Sequence, residues 1–132
     1  RRGIVMMGAG AGVAPLVSLL EAEPYAPGEA ILITRDHAAA ESMRVREIER
    51  LVARRGLHHV ALHGPRRRAG STWLPVTFAD GRGAEMLRRM VPGIHDHDVY
   101  LCGPEPWMAS VRRDLRAAGV PAAQIHSEAF GV

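Results

Sequence analysis

The chain has 132 residues, 47% of them hydrophobic and 23% charged. That length and balance fit one globular domain and exclude disordered, collagen-like and coiled-coil classes. A net charge of +3 permits an anionic ligand without requiring nucleic acid, and all 17 basic residues are Arg, a bias that gives total Arg content little weight.

Strand and helix signals then alternate. Ile4 to Met7 is a short apolar run ended by Gly8, the pattern of a buried strand. Val13, Leu16, Val17 and Leu20 follow at helical spacing, with Pro15 in the first turn, where a missing N–H costs nothing. The Gly8–Leu20 stretch is too short and too Gly-rich to span a bilayer. Tyr25 to Gly28 reads as a loop and Ala30 to Thr34 as a second buried strand. The spacing predicts a helix from about Ala39 to Arg55, with Val45, Ile48 and Val52 on one face and Gly56 as its stop. His59 to His63 is a third strand, and Gly64 to Gly83 an irregular loop around Trp73. A short helix at Ala84–Met90, a strand at Val99–Cys102 and a helix carrying Met108, Val111, Leu115 and Ala118 complete the pattern. Gly119 caps that helix, and Gln124 to Ser127 forms a fifth strand. Such alternation implies a parallel α/β sheet with helices on both faces, whose ligands sit beyond the carboxyl ends of the strands.

The segments at those ends carry the chemistry. Gly8-Ala9-Gly10-Ala11-Gly12-Val13-Ala14-Pro15 joins a strand to a helix. Its glycines admit close backbone approach, and the helix start offers free N–H groups to a pyrophosphate. The third glycine comes one residue earlier than in G-x-G-x-x-G, and a tight packing turn would use the same residues. Cys102-Gly103-Pro104 ends the fourth strand, where a thiol either meets a flat ring or serves as a small buried hydrophobe. Gly64-Pro65-Arg66-Arg67-Arg68 follows the third strand, and its guanidiniums either grip a phosphate or form a solvated loop. Too few aromatics interleave with the basic residues to suggest a nucleic-acid surface. The seven histidines lack metal-ligand spacing, so no metal is expected. Cys102 is the single cysteine, which excludes an internal disulfide and fits a reducing, cytoplasmic setting. The chain starts at Arg rather than Met, and residues 1–132 are expected to be the C-terminal part of a longer polypeptide.

Taken in order, these segments resemble the NAD(P)-binding domain of the ferredoxin–NADP reductase superfamily. The likeness runs through G-x-G-x-G-x-x-P-x-x-S from Gly8 past Pro15 to Ser18, then C-G-P at Cys102–Pro104. It continues with the Gly119-Val120-Pro121 turn and I-H-x-E-x-F from Ile125 to Phe130. Thr34-Arg35 and Trp73-Leu74-Pro75 look like the bacterial ferric-reductase-like and oxygenase-reductase branches.

The resemblance implies a three-layer domain with a five-stranded parallel sheet. It implies hydride transfer from NADPH or NADH to FAD on a separate barrel domain of the same chain. By the same resemblance Gly8, Gly10, Gly12, Pro15 and Ser18 form the pyrophosphate turn, and Gly103 and Pro104 shape the nicotinamide end. Cys102 would lie beside the nicotinamide, Glu128 would orient it or pass protons, and Phe130 would cover the flavin. Arg66 or Arg67 would take a 2′-phosphate, with Arg35 contributing from the neighbouring strand and Trp73 stacking on adenine. NADPH is the favoured donor, while Asp36 keeps open an NADH enzyme that binds a ribose hydroxyl. The electron acceptor (iron–sulfur protein, haem or ferric chelate) lies outside the chain, a membrane domain elsewhere in the longer polypeptide is compatible with this, and the fragment would not act alone. The alternative is a dinucleotide-sensing module without chemistry.

Overall fold

The computed structural model describes residues 2–78 and 82–129. Five strands, β1 (Ile4–Ala9), β2 (Ala30–Asp36), β3 (His58–His63), β4 (Asp98–Gly103) and β5 (Ile125–Ala129), form one sheet in the order β3-β2-β1-β4-β5. Every neighbouring pair is parallel. Helices α1 (Val13–Ala22), α2 (Val45–Arg55), α3 (Gly83–Met90) and α4 (Glu105–Ala117) connect them. The fold class is that expected from the alternating pattern.

Alternation along each strand sorts the core into two layers. On β1, Val5 and Met7 pack with Leu87, Val111 and Leu115 of α3 and α4. Met6 instead packs with Leu16, Val17 and Leu20 of α1 and with Ile48 and Leu51 of α2. Because β1 is covered on both faces, it reads as a continuous apolar run rather than an alternating one. The helical stripe Val13, Leu16, Val17, Leu20 is buried as its spacing requires. Arg55 at the end of α2 ties the two helices of that layer together. Its guanidinium donates to the carbonyls of Leu20 at 2.6 Å and Glu23 at 2.6 Å, and it lies 4.1 Å from the centroid of the Tyr25 ring. Carbonyls at the end of α1, which have no partner within the helix, are thereby satisfied.

The second helix departs from expectation. Ala39–Glu41 is a separate 3-10 turn, and α2 begins only at Val45. Arg44 breaks the run at φ 57°, the left-handed conformation. Val45 and Val52 are exposed rather than buried, and the stripe facing the sheet is Ile48 and Leu51. In this short helix the apolar i, i+3 pair Ile48 and Leu51 sets the facing, not the Val45, Ile48 and Val52 positions.

The chain leaves β1 toward β2 and β3, then crosses back through α3 to place β4 on the other side of β1. The strand order therefore reverses between β1 and β4, which opens a crevice above their carboxyl ends. The turns at Gly8–Pro15 and Cys102–Pro104 both lie at that reversal.

Candidate functional site

A cleft of about 430 Å³ occupies this crevice. One wall is the turn after β1, with Gly10 and Gly12; another is the turn into α4, with Pro104 and Trp107; the third, from the ends of β2 and β3, holds Asp36 and Arg66.

The two glycines of the turn act differently. Gly10 sits at φ 55°, and a Cβ built there would meet nothing within 4 Å, so its face is open to a ligand. Gly12 has ordinary helical angles, but a Cβ there would lie 2.0 Å from the Cys102 carbonyl oxygen. Gly12 lets α1 start directly against β4, which brings the positive end of the helix dipole beside the cleft. Pro15 is half-buried in the first turn of α1, and Ser18 is exposed further along it. Neither lines the cleft.

Strand register aligns the other end. Gly8 of β1 lies beside Cys102 of β4, and Cys102 beside Glu128 of β5. The Cys102 side chain is buried with the α1 layer rather than in the cleft wall. Burial, and secondarily the Glu128 carboxylate, push its thiol up to about 11. The thiol is therefore neutral at physiological pH and unsuited to nucleophilic work. The sign follows: the pKa is raised above the unfolded value, so the stabilisation is complete below pH 9 and is lost as pH rises through about 11. Alkylation by iodoacetamide in the folded state should reach half its limiting rate near the upper value; a midpoint at the ordinary thiol value would contradict the burial. Glu128 is exposed, and Phe130 lies outside the described residues. Gly103 packs under Trp107: a Cβ there would meet the indole at 2.9 Å.

Three arginine and aromatic expectations need correction. Trp73 is 1% exposed, and its Nε1 donates to Asp114 Oδ2 at 2.7 Å. Its ring belongs to the α3–α4 core and is closed to a stacking base. Arg35 borders the cleft, but its guanidinium is turned inward: Nε donates to the Trp73 carbonyl at 2.8 Å and Nη1 to the Asp36 carbonyl. Burial lowers its pKa, with Asp36 opposing. It braces the loop after β3 instead of reaching for a phosphate. Arg66 and Arg67 diverge, because the Arg66–Pro75 bridge and the bond from the Arg67 amide to the Leu74 carbonyl at 3.2 Å fold the loop into a hairpin-like pair. Arg66 is exposed and faces the cleft; Arg67 is half-buried and does not line it.

The structure thus brings together Gly10, Gly12, Arg35, Arg66 and Pro104, joined by Asp36, His37, Glu41, Pro106 and Trp107. Sequence reading singled out neither Pro106-Trp107 nor Glu41. The first pair follows immediately after Gly103-Pro104 and was legible by position; Glu41 enters only through the 3-10 turn that replaces the expected helix. No metal-binding group of three or more His, Cys, Asp or Glu occurs among the described residues. Nor is any helix among them long and apolar enough to cross a membrane.

These elements define an open, parallel α/β domain whose cleft sits where the strand order reverses. Comparison with known proteins places it more closely. A flavohemoprotein of Xylella fastidiosa (strain Temecula1) is 33% identical over 132 residues, covering 98% of this chain and 32% of its own length. The ferredoxin reductase component of a 3-ketosteroid-9-alpha-monooxygenase from Rhodococcus rhodochrous is 24% identical over 127 residues, covering 96% of this chain and 33% of its own. Among solved structures, the flavohem-like FAD/NAD binding domain of nitric oxide dioxygenase from Vibrio cholerae O1 biovar El Tor superposes with a TM-score of 0.74. The two are 27% identical, and the match covers 100% of this chain and 52% of that one. No protein-family model matches the chain. These relatives and structural neighbours, flavohemoprotein and ferredoxin reductase FAD/NAD-binding domains, are consistent with the NAD(P)-binding domain of the ferredoxin–NADP reductase superfamily. The chain spans about a third of the length of the curated relatives it matches.

Proposed function

We propose that the chain binds a reduced nicotinamide dinucleotide in the switch-point cleft and holds its nicotinamide end toward a flavin carried on another domain of a longer polypeptide. One observation carries this reading: the open Gly10 face and the α1 start meet the Cys102–Pro104 turn across a single cleft, at the reversal of strand order. The fit is physical, since a Gly10 face free of side chains beside the positive end of the α1 dipole suits a pyrophosphate. Bound there, the dinucleotide would supply a hydride to FAD, which would pass electrons on to an acceptor such as a haem or an oxygenase component.

The chain's own residues bind and position. Gly10 and Gly12 would let the pyrophosphate approach the backbone. Pro104 would shape the nicotinamide end from the cleft wall, with Gly103 under Trp107 and Cys102 buried behind the turn, and Glu128 in register beside Cys102 would orient the carboxamide or pass protons. Phe130 would cover the flavin ring. The work is orientation rather than covalent catalysis. The relatives are flavohemoproteins and oxygenase reductase components, which supports a flavin oxidoreductase setting over a dinucleotide sensor without chemistry.

NADPH is the donor on this reading, with Arg66 as the residue that meets the 2′-phosphate. A second reading, NADH, is favoured by the Asp36 carboxylate in the same wall, where it would accept from ribose hydroxyls and repel a phosphate. Arg66→Ala is expected to weaken NADP⁺ binding by about tenfold or more, as loss of a charged hydrogen bond does, and to spare NAD⁺; Arg67→Ala should leave both unchanged. Equal losses for both nucleotides in the Arg66 variant would assign that side chain to the pyrophosphate or the fold.

A further inference from the structure

The proposed ligand is an anion, yet the cleft wall includes two carboxylates, Asp36 and Glu41, beside Arg66. Asp36 is fixed at the end of β2, whereas Glu41 arrives on the connection from β2 to α2. Glu41 forms no ion pair among the described residues. A carboxylate so placed opposes a phosphate unless it can leave.

Residues 37–44 form that connection, and all of them but Ser42 are exposed. The Ala39–Glu41 turn is closed by its own bonds, from the Glu41 amide to the Ala38 carbonyl at 3.0 Å and from the Ser42 amide to the Ala39 carbonyl at 3.1 Å. Among the described residues one side-chain hydrogen bond joins the segment to the sheet: Ser42 Oγ donates to Asp36 Oδ2 at 3.3 Å. The packing behind it is loose. A cavity of about 260 Å³ is lined by Ser42 and Met43 of the segment and by His59, Ala61 and His63 of β3. At the far end Arg44 has φ 57° and ψ 31°, the one described non-glycine residue with positive φ. Its side chain makes no hydrogen bond or ion pair among the described residues to offset that strain. Few contacts, loose packing and a strained terminal residue characterise a segment that opens cheaply and turns at one point.

We propose that residues 37–44 are an autoinhibitory strap. Latched to Asp36 through Ser42, it holds Glu41 in the cleft wall, and it turns outward about Arg44 when an anionic nucleotide enters. This rests on the dinucleotide reading above. The phosphate supplies the differential interaction that shifts the balance, since Glu41 repels it in the latched arrangement and not in the open one. Opening also frees Asp36 Oδ2 to accept from a ligand hydroxyl.

A double-mutant cycle tests the strap, read as 5′-AMP affinity by calorimetry. Ser42→Ala unlatches the strap and should tighten 5′-AMP binding about three- to tenfold, the range of one lost hydrogen bond. Glu41→Gln should tighten it by a similar factor, because the latched strap no longer repels the phosphate. Adding Ser42→Ala to Glu41→Gln should then change nothing, since opening brings no further relief. Two independent surface effects would instead multiply. At the hinge, Arg44→Gly removes the left-handed penalty that strains the latched form. It should bind 5′-AMP about fivefold more weakly than Arg44→Gln, which loses the same charge and keeps the penalty. Wild-type affinity in Ser42→Ala, multiplying factors in the double variant, or equal affinities in the two Arg44 variants would overturn the strap and leave the dinucleotide reading standing. No binding of 5′-AMP to any of these proteins would overturn both.

Discussion

Gly12→Ala is expected to unseat the domain and abolish nucleotide binding together. The added methyl would sit 2.0 Å from the Cys102 carbonyl oxygen and 2.4 Å from its carbon, both backbone atoms that cannot rotate away. Since Gly12 has φ −66° and ψ −15°, the cost is steric and not conformational. Relief requires α1 to move off β4, which separates the pyrophosphate turn from the Cys102–Pro104 turn. Overpacking of this severity costs about 3 kcal/mol or more, and thermal unfolding should show it directly. Gly10→Ala provides the contrast. Its methyl meets no atom within 4 Å, and the only penalty is a left-handed φ of 55°, about 1 kcal/mol. That variant should fold and lose ligand affinity, because the methyl occupies the ligand's approach. Wild-type stability in Gly12→Ala would mean that the helix does not start against the strand as described.

The second large effect is expected at Asp114, whose carboxylate accepts the buried Trp73 N–H at 2.7 Å. Its neighbours on α4 hold the same loop: Arg113 donates to the Gly70 carbonyl at 2.9 Å, and Ser110 Oγ accepts from Thr72 Oγ1 at 3.2 Å. Asp114→Ala leaves the indole N–H unpaired in the core, a loss of about 2–3 kcal/mol in urea denaturation. Asp114→Asn keeps an acceptor and should recover more than half of that. The damage should reach the site as well, because Arg35 holds the Trp73 carbonyl and the same loop carries Arg66. An unchanged denaturation midpoint in Asp114→Ala would place the Trp73 ring elsewhere.

Both cases mark how far the sequence alone could be read. The strand–turn–helix at Gly8–Pro15 and the Cys102–Pro104 turn were legible because their meaning is local: apolar runs, glycines and prolines at fixed offsets. The sheet followed from alternation, since strands that alternate with helices pair in parallel. Trp73 was not legible, because its environment is decided by Asp114, 41 positions away along the chain. An isolated Trp in a Gly- and Arg-rich loop looks like a surface ring until that partner is known. The arginines failed for a related reason. Arg35, Arg66 and Arg67 are chemically equivalent in sequence, and only the Trp73 carbonyl and the Arg66–Pro75 bridge sort one inward, one to the cleft and one aside. At α2, the left-handed Arg44 cut the helix in a stretch where no Gly or Pro announced a break.

The central claim is that the switch-point cleft binds the adenylate half of a nicotinamide dinucleotide, and calorimetric titration of this chain with 2′,5′-ADP and with 5′-AMP tests it most directly. The account predicts saturable binding of one nucleotide per chain, with 2′,5′-ADP the tighter of the two through Arg66. Equal affinities would keep the cleft and make NADH the donor through Asp36. The absence of saturable binding by either nucleotide would contradict the account.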